Sequence, residues 1–282
     1  MIFSEYLKLL RPTQWLKNAM LFFPPFLGGA ILDLDTVYRG LFPFAVFCLG
    51  SSAGYIFNDL NDLDNDIRHP KKKHRPLVSG KVTPVTAKVI CVILLLVSLG
   101  LAPLISARFT LYLILYLLIT VAYTFYFREV AVLDIFCISS GFVVRLLAGG
   151  EFFRIEVSDW LLLTVFLLAV FLSTGKRLSE KLSLGSSAGG HRKTLANYPD
   201  GFLDGAMYMT GGAVLVTYTM YVIVRSFMVY SVPLCCFGLL RYIYRIKKGQ
   251  SGDPTDSLLR DPVLFMVGAA WAVLVGIGIY GK

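Results

Sequence analysis

The residues with the clearest chemical purpose lie in one run, NDLNDLDNDIRHPKKKHRP, from Asn58 to Pro76. Asp59, Asp62 and Asp66 stand at i, i+3 and i+7, which on a helix places them within about 60° of one another, with Asp64 on roughly the opposite side. Three carboxylates on one face repel unless a cation sits among them. Magnesium suits such a set, because it is held by one or two protein carboxylates together with phosphate oxygens of a substrate. Asn58 adds a neutral oxygen or a hydrogen bond to phosphate. The charge then reverses sign at Lys71, Lys72, Lys73 and Arg75. Acid followed by base suits a metal-bridged polyphosphate: carboxylates hold the metal, the metal holds the phosphates, and the cations take the remaining negative charge. Asp59, Asp62 and Asp66 are therefore expected as magnesium ligands, with the lysines and Arg75 as cations beside them. A merely solvated basic loop explains the lysines but not the carboxylate face, since acidic residues add little to a membrane topology signal.

A second charged run, STGKRLSEKLSLGSSAGGHRKTLANYPD, reads as a loop after an apolar span. Lys176 and Glu180 are i, i+4 neighbours with Arg177 beside them, and Arg192, Lys193 and Tyr198 follow. This set is basic and suits a phosphomonoester or a second phosphate group. Lys17 stands at the start of the first span, with Trp15 beside it as an interface anchor. Arg145 falls inside a span, where a charge costs roughly 2.5–3.5 kcal/mol on insertion scales, so it should face a partner or a substrate. Asp134, eleven residues earlier on the same helix face, is one candidate partner. Lys17, Asn58, Arg145, Lys176, Arg177, Glu180, Arg192, Lys193 and Tyr198 are the expected substrate-binding residues. The segment GDPTDSLLRDP reads mainly as a helix-capping loop, with a role at the cavity as the lesser alternative.

These residues need a scaffold, and the composition says what kind. Of 282 residues, 56% are hydrophobic and 16% charged, with a mean hydropathy of +0.68; soluble domains carry roughly 25% charged residues. The charges collect in short segments between apolar runs. Spans of ~20 apolar residues are expected at roughly 19–32, 40–57, 84–104, 109–127, 131–150, 158–174, 203–224, 228–244 and 262–280. The first holds Pro24, Pro25, Gly28 and Gly29, breaks that neighbouring helices can cover. Residues 2–10 suit an interfacial helix. The expected fold is all-α: one membrane domain over 1–282, a polytopic bundle of about nine transmembrane helices with charged cytoplasmic loops capping a central cavity. With the N-terminus in the cytoplasm, basic residues divide 21 to 5 between the two sides, and Arg145 lies within a span. That places both charged runs on the cytoplasmic face of a multi-pass protein of the cell (inner or plasma) membrane. The opening residues lack the apolar core and small-residue site of a cleaved signal peptide.

The net charge of +9 is topology signal and anionic-lipid attraction together with the charged sites, and no nucleic acid partner is expected. The five cysteines show no Cys-x-x-Cys spacing and read as small buried hydrophobes, while His69, His74 and His191 lie in basic loops and make a poor metal set.

The N-D-x-x-D-x-x-x-D face of Asn58, Asp59, Asp62 and Asp66 after the second span, with RPTQWLKN at the start and two similar halves, resembles the UbiA superfamily of intramembrane prenyltransferases. Four stretches look most like its decaprenyl-phosphate phosphoribosyltransferase branch: NDLNDLDNDIRHPKKKHRPLVSG, SSGFVVRLLAGG, GKRLSE followed by RKTLANY, and GDPTDSLLRDPVL. That resemblance implies Mg2+-dependent transfer of a 5-phosphoribosyl group from phosphoribosyl pyrophosphate to a polyprenyl phosphate, with release of pyrophosphate, toward cell-wall polysaccharide donors. Set against that branch, Lys72 and Arg75 carry more weight as the catalytic cations than Arg68, Lys71 or His74, and the resemblance leaves a homo-oligomer open. The alternative is transfer of a polyprenyl group from its diphosphate to an aromatic acceptor. Enzymes of that kind carry a second aspartate-rich motif, whereas this chain has Gly175, Lys176 and Arg177 there with Glu180 alone acidic. A transporter is the third reading. Arg145 suits it, but acids clustered at a membrane edge do not.

Overall fold

In the computed structural model, which describes residues 2–67, 72–184, 193–225 and 227–281, every regular element is helical. The N-terminal amphipathic segment forms α1 (Ile2–Leu10), whose Leu9 packs among Ile56, Leu77, Val82 and Ala87. The chain turns at Arg11 in the left-handed region, φ 54°, into a 3-10 stretch, Pro12–Phe22, and a short α2 (Phe23–Leu27). Pro24 and Pro25 are tolerated in the first turn of α2, where their missing N–H groups have no helical acceptor in any case, and α2 ends at Gly28. The first expected span, 19–32, is therefore not one continuous helix.

Side-chain caps open most of the long helices that follow. Asp33 accepts from the backbone of Asp35 and Thr36 at the start of α3 (Leu34–Asn61), which is followed by the short α4 (Leu63–Ile67). Thr83 caps α5 (Pro84–Leu101), and Ser106 caps α6 (Ala107–Phe125). Then come α7 (Leu133–Phe153), α8 (Asp159–Leu184), the short α9 (Lys193–Asn197), α10 (Phe202–Val222) and α11 (Val232–Lys247). Asp253 caps α12 (Pro254–Arg260), and Asp261 caps α13 (Pro262–Tyr280), as the capping reading of that segment expects. Among the described residues, six helices are long and apolar enough to cross a membrane: α3, α5 with its extension to Leu104, α6, α7, α8 and α13.

α8 runs to Leu184, past the expected span end at 174, so Lys176, Arg177 and Glu180 sit on a helix and not on a loop. Hydropathy falls at Lys176, but lysine, arginine, leucine and glutamate are good helix formers and carry the helix onward.

Burial sorts the helices into inner and outer. Within their apolar windows α3 and α8 are 61% buried, whereas α5 is 17% and α13 6% buried. The outward rows, such as Val85, Val89, Val92 and Leu96 on α5, are what a lipid solvent favours. One core joins α3, α6 and α7 through Phe47, Phe109, Leu113, Tyr116 and Val144. Another joins α8, α10 and α11 through Phe171, Met207, Val214, Tyr242 and Ile246. Gly149 on α7 fixes the approach of the 3-10 stretch: a Cβ there would lie 2.2 Å from the Leu21 carbonyl oxygen. That close crossing brings Lys17 and Asn18 beside Arg145.

Candidate active site

A cavity of about 420 Å³ opens between the 3-10 stretch, α3, α6, α7 and α8. At its mouth α3 places Asn58 and Asp59 in its last turn and ends at Asn61. Asp62 sits in the junction, its N–H on the Asn58 carbonyl at 2.9 Å, and α4 carries Asp66. The carboxylates therefore do not continue one helix face, as the i, i+3, i+7 spacing predicts. Asp59 and Asp66 converge on Arg75, whose Nη1 is 2.9 Å from Asp59 Oδ1 and also donates to Asp66 Oδ2. Arg11 donates to Asp59 as well, and Arg128 takes Asp62. Like charges so close each require a cation, and here the guanidinium groups supply it. Burial and the neighbouring Arg11 pull the Arg75 guanidinium below its ordinary range, against the pull of Asp59 and Asp66. Asn58 accepts from Thr124 Oγ1 at 3.3 Å.

The opposite wall belongs to α7 and α8. Lys176 donates to Asp253 at 2.9 Å and not to Glu180, as its i, i+4 position suggests. Glu180 instead takes Arg177 at 2.8 Å. Arg177 also donates to Asp134 Oδ2 at 2.6 Å and to the Tyr123 hydroxyl at 3.2 Å. The other Asp134 oxygen accepts from the Tyr198 hydroxyl at 2.5 Å, and that hydroxyl accepts the Val132 N–H at 2.8 Å. Tyr198, expected at the substrate, thus lies behind the wall.

Asp134 is not the partner of Arg145. Arg145 Nε donates to Asn18 Oδ1 and its Nη1 to the Gly141 carbonyl, each at 2.7 Å, with the Tyr116 ring 4.4 Å away. Lys17 lines the cavity nearby. Burial, then Lys176, push its ammonium down from 10.5 to about 7, with Asp253 acting against them. Burial alone would raise Asp253, but Lys176 and Lys17 outweigh it and hold that carboxyl at about 2.

Lys17, Asn58, Asp62, Asp66, Arg75, Arg145, Lys176, Arg177 and Glu180 all line the one cavity, with Asp59 buried directly behind Arg75. Arg192 and the side chains of Lys72 and Lys193 lie outside the described residues. Sequence reasoning missed Arg11, Arg128 and the ion-pairing role of Asp253. The charges of Arg11 and Arg128 read only as topology signal, and no local spacing marks the Asp62–Arg128 pair, 66 positions apart.

Among the described residues no three metal-ligating side chains already surround one point. The donor set nevertheless fits a divalent cation. Asp59 and Asp66 offer oxygens to a single nitrogen of Arg75, so a positive charge already sits between them. Hard carboxylate oxygens at the mouth of a cavity are what magnesium takes.

The sequence matches the UbiA prenyltransferase family over residues 22–269. The chain belongs to that family. It is 31% identical to the decaprenyl-phosphate phosphoribosyltransferase of Mycobacterium tuberculosis, over 96% of this chain and 93% of that one. It is also 31% identical to the protein of the same name from Corynebacterium glutamicum, over 97% and 86% of the two chains. In fold it is similar to a UbiA homolog from Archaeoglobus fulgidus solved with GPP and Mg2+, with a TM-score of 0.71 at 22% identity, covering 99% of this chain and 100% of that one. The protein is thus an all-helical, multi-pass membrane transferase of the UbiA fold.

Proposed function

We propose that this UbiA-family protein transfers the 5-phosphoribosyl group of phosphoribosyl pyrophosphate to a polyprenyl phosphate, releasing pyrophosphate. The observation that carries this reading is the character of the wall opposite the acidic mouth. At the mouth three aspartates meet three arginines. Across the cavity four cations, Lys17, Arg145, Lys176 and Arg177, outnumber three carboxylates, Asp134, Glu180 and Asp253, by one, and no salt bridge among the described residues pairs Lys17 or Arg145 with a carboxylate. A donor carrying a diphosphate and a phosphomonoester, with an acceptor that is itself a phosphate, needs that excess of positive charge. A prenyl diphosphate and a neutral aromatic acceptor do not. The 31% identity to two decaprenyl-phosphate phosphoribosyltransferases over nearly the whole chain supports the same choice.

Asp59, Asp62 and Asp66 would hold magnesium, which when bound neutralises charge on the departing pyrophosphate. Arg75, Arg11 and Arg128, released from the carboxylates, turn to the phosphates. Lys72 and Lys17 add positive charge to the leaving group. The donor C1–oxygen bond breaks with oxocarbenium character, and an oxygen of the acceptor phosphate forms the new bond from the opposite face, inverting C1. That oxygen is already ionised at neutral pH, so no general base is required. The isoprenoid tail leaves sideways between helices into lipid. On this reading the protein crosses the membrane about nine times, with its N-terminus and cavity mouth in the cytoplasm.

Membranes containing the full chain test this with radiolabelled phosphoribosyl pyrophosphate, magnesium and decaprenyl phosphate. Label is expected in the lipid fraction, is lost on chelation, and falls about 10–100-fold or more in Asp66→Asn. Label moving instead from an allylic diphosphate to an aromatic acid would sink the proposal.

A further inference from the structure

Arg145 is 3% exposed, yet no carboxylate lies within ion-pair distance of it among the described residues. Two of its N–H groups go to neutral oxygens, Asn18 Oδ1 and the Gly141 carbonyl, and the other three meet no acceptor among the described residues. A guanidinium cannot shed its proton, so this is a permanent positive charge. It lies eleven residues along α7 from Asp134, about 16 Å deeper at 1.5 Å per residue. A charge at such depth ordinarily marks a ligand site.

The side chain is held firmly. Asn18 is fully buried and its Nδ2 donates to Ser51 Oγ at 3.0 Å and Cys48 Sγ at 3.2 Å, which turns Oδ1 toward Arg145. Gly141 leaves the room the guanidinium occupies, since a Cβ there would stand 3.2 Å from Nη1. The Tyr116 and Phe142 rings lie 4.4 and 5.8 Å from its Cζ. Ile119, Ile138 and Leu172 add apolar surface to the wall of the same cavity. A free sugar phosphate gains nothing from such walls, whereas a phosphate on a hydrocarbon chain gains both the cation and the wall.

We propose that Arg145, oriented by Asn18, binds the phosphomonoester of the isoprenoid acceptor, while the donor's diphosphate stays at the aspartate mouth. This rests on the phosphoribosyl-transfer reading. Arg145 is the binding residue and Asn18 a positioning residue.

The test uses the purified full chain with magnesium, phosphoribosyl pyrophosphate and a polyprenyl phosphate, comparing wild type with Arg145→Met and Asn18→Asp. Asn18→Asp keeps the arginine in place but sets a carboxylate on its Nε, cancelling the free charge. In both variants KM for the polyprenyl phosphate is expected to rise about tenfold or more, with KM for phosphoribosyl pyrophosphate within about twofold. A rise confined to the donor's KM places the donor 5-phosphate at Arg145 and overturns the assignment. Asn18→Asp behaving as wild type toward both substrates makes Arg145 structural and also overturns it. A second arm, native mass spectrometry without the donor, compares retention of polyprenyl phosphate with that of the matching polyprenol. Wild type should prefer the phosphate and Asn18→Asp should not. Equal retention of the two lipids by wild type defeats the niche. A wild type that prefers the phosphate but transfers nothing from phosphoribosyl pyrophosphate sustains the niche and defeats the donor assignment.

Discussion

Arg177 on α8 and Arg145 on α7 are both almost wholly buried beside one cavity, at 1% and 3% exposure, yet they meet different neighbours. Arg177 is matched by two carboxylates, Asp134 and Glu180, and a tyrosine hydroxyl. Arg145 is matched by an amide oxygen, a backbone carbonyl and an aromatic ring face. A buried charge must be compensated, and the difference lies in what supplies the compensation. Where the protein supplies the counter-charge, the arginine is part of the scaffold. Where only neutral groups surround it, the arginine is oriented but its charge is left for a ligand.

The sharpest way to break this comparison is to remove each cation and measure stability. Arg177→Met leaves Asp134, fully buried, without its counter-ion, and a loss of about 3–5 kcal/mol is expected. Arg145→Met orphans no carboxylate among the described residues and leaves only neutral acceptors, chiefly the buried Asn18 Oδ1, short of a donor, so the thermal unfolding midpoint in detergent should fall much less than in Arg177→Met. The double variant Asp134→Asn with Arg177→Met should recover part of the first loss, because the two changes act on one pair. Equal destabilisation by the two single arginine variants would erase the distinction between scaffold and site.

The sequence marked which residues would gather but not how they would pair. Hydropathy located the bundle, and the expected spans 84–104 and 262–280 coincide with α5 and its extension to Leu104 and with α13, whose starts are fixed where the apolar runs begin by the capping residues Thr83 and Asp261, each followed by proline. Of the charged residues it singled out, Lys17, Asp62, Asp66, Arg75, Arg145, Lys176, Arg177 and Glu180 line one cavity. Their partners were not legible. Arg177 meets Asp134 across 43 positions, Lys176 meets Asp253 across 77, and Arg145 meets Asn18 across 127. Local periodicity offered Glu180 to Lys176 and Asp134 to Arg145 instead, and both were displaced by contacts that only helix packing creates. The split of the aspartate trio escaped for the same reason. Spacing assumes a helix that continues, whereas this one stops at Asn61.

Tyr198 sharpens the scaffold side of the comparison. Its hydroxyl donates to Asp134 and accepts the N–H of Val132, a β-branched residue at φ 71°, a strained conformation that needs support. Tyr198→Phe should therefore cost about 1–2 kcal/mol of stability, less than Arg177→Met, and leave KM for both substrates within about twofold. A large rise in either KM with stability intact would instead return Tyr198 to the substrate, where its place in the charged run suggests it.

Lys17 gives the smallest effect and tests the site side through pH. Its ammonium titrates at about 7 in the folded, ligand-free protein against an ordinary value of 10.5. Between those limits the unfolded chain binds the extra proton, so the ligand-free fold gains stability as pH rises from about 7. Anion binding runs the other way. Phosphate favours the charged amine, so binding above pH 7 must take up a proton, and KM for phosphoribosyl pyrophosphate should rise about fivefold from pH 7 to pH 8. Arg11, Arg75 and Arg145 stay charged throughout this range, so Lys17→Met should bind the donor more weakly at pH 7 and show no such rise. A KM that climbs equally in Lys17→Met would assign the titration to the substrate or to another group and remove Lys17 from the phosphate site.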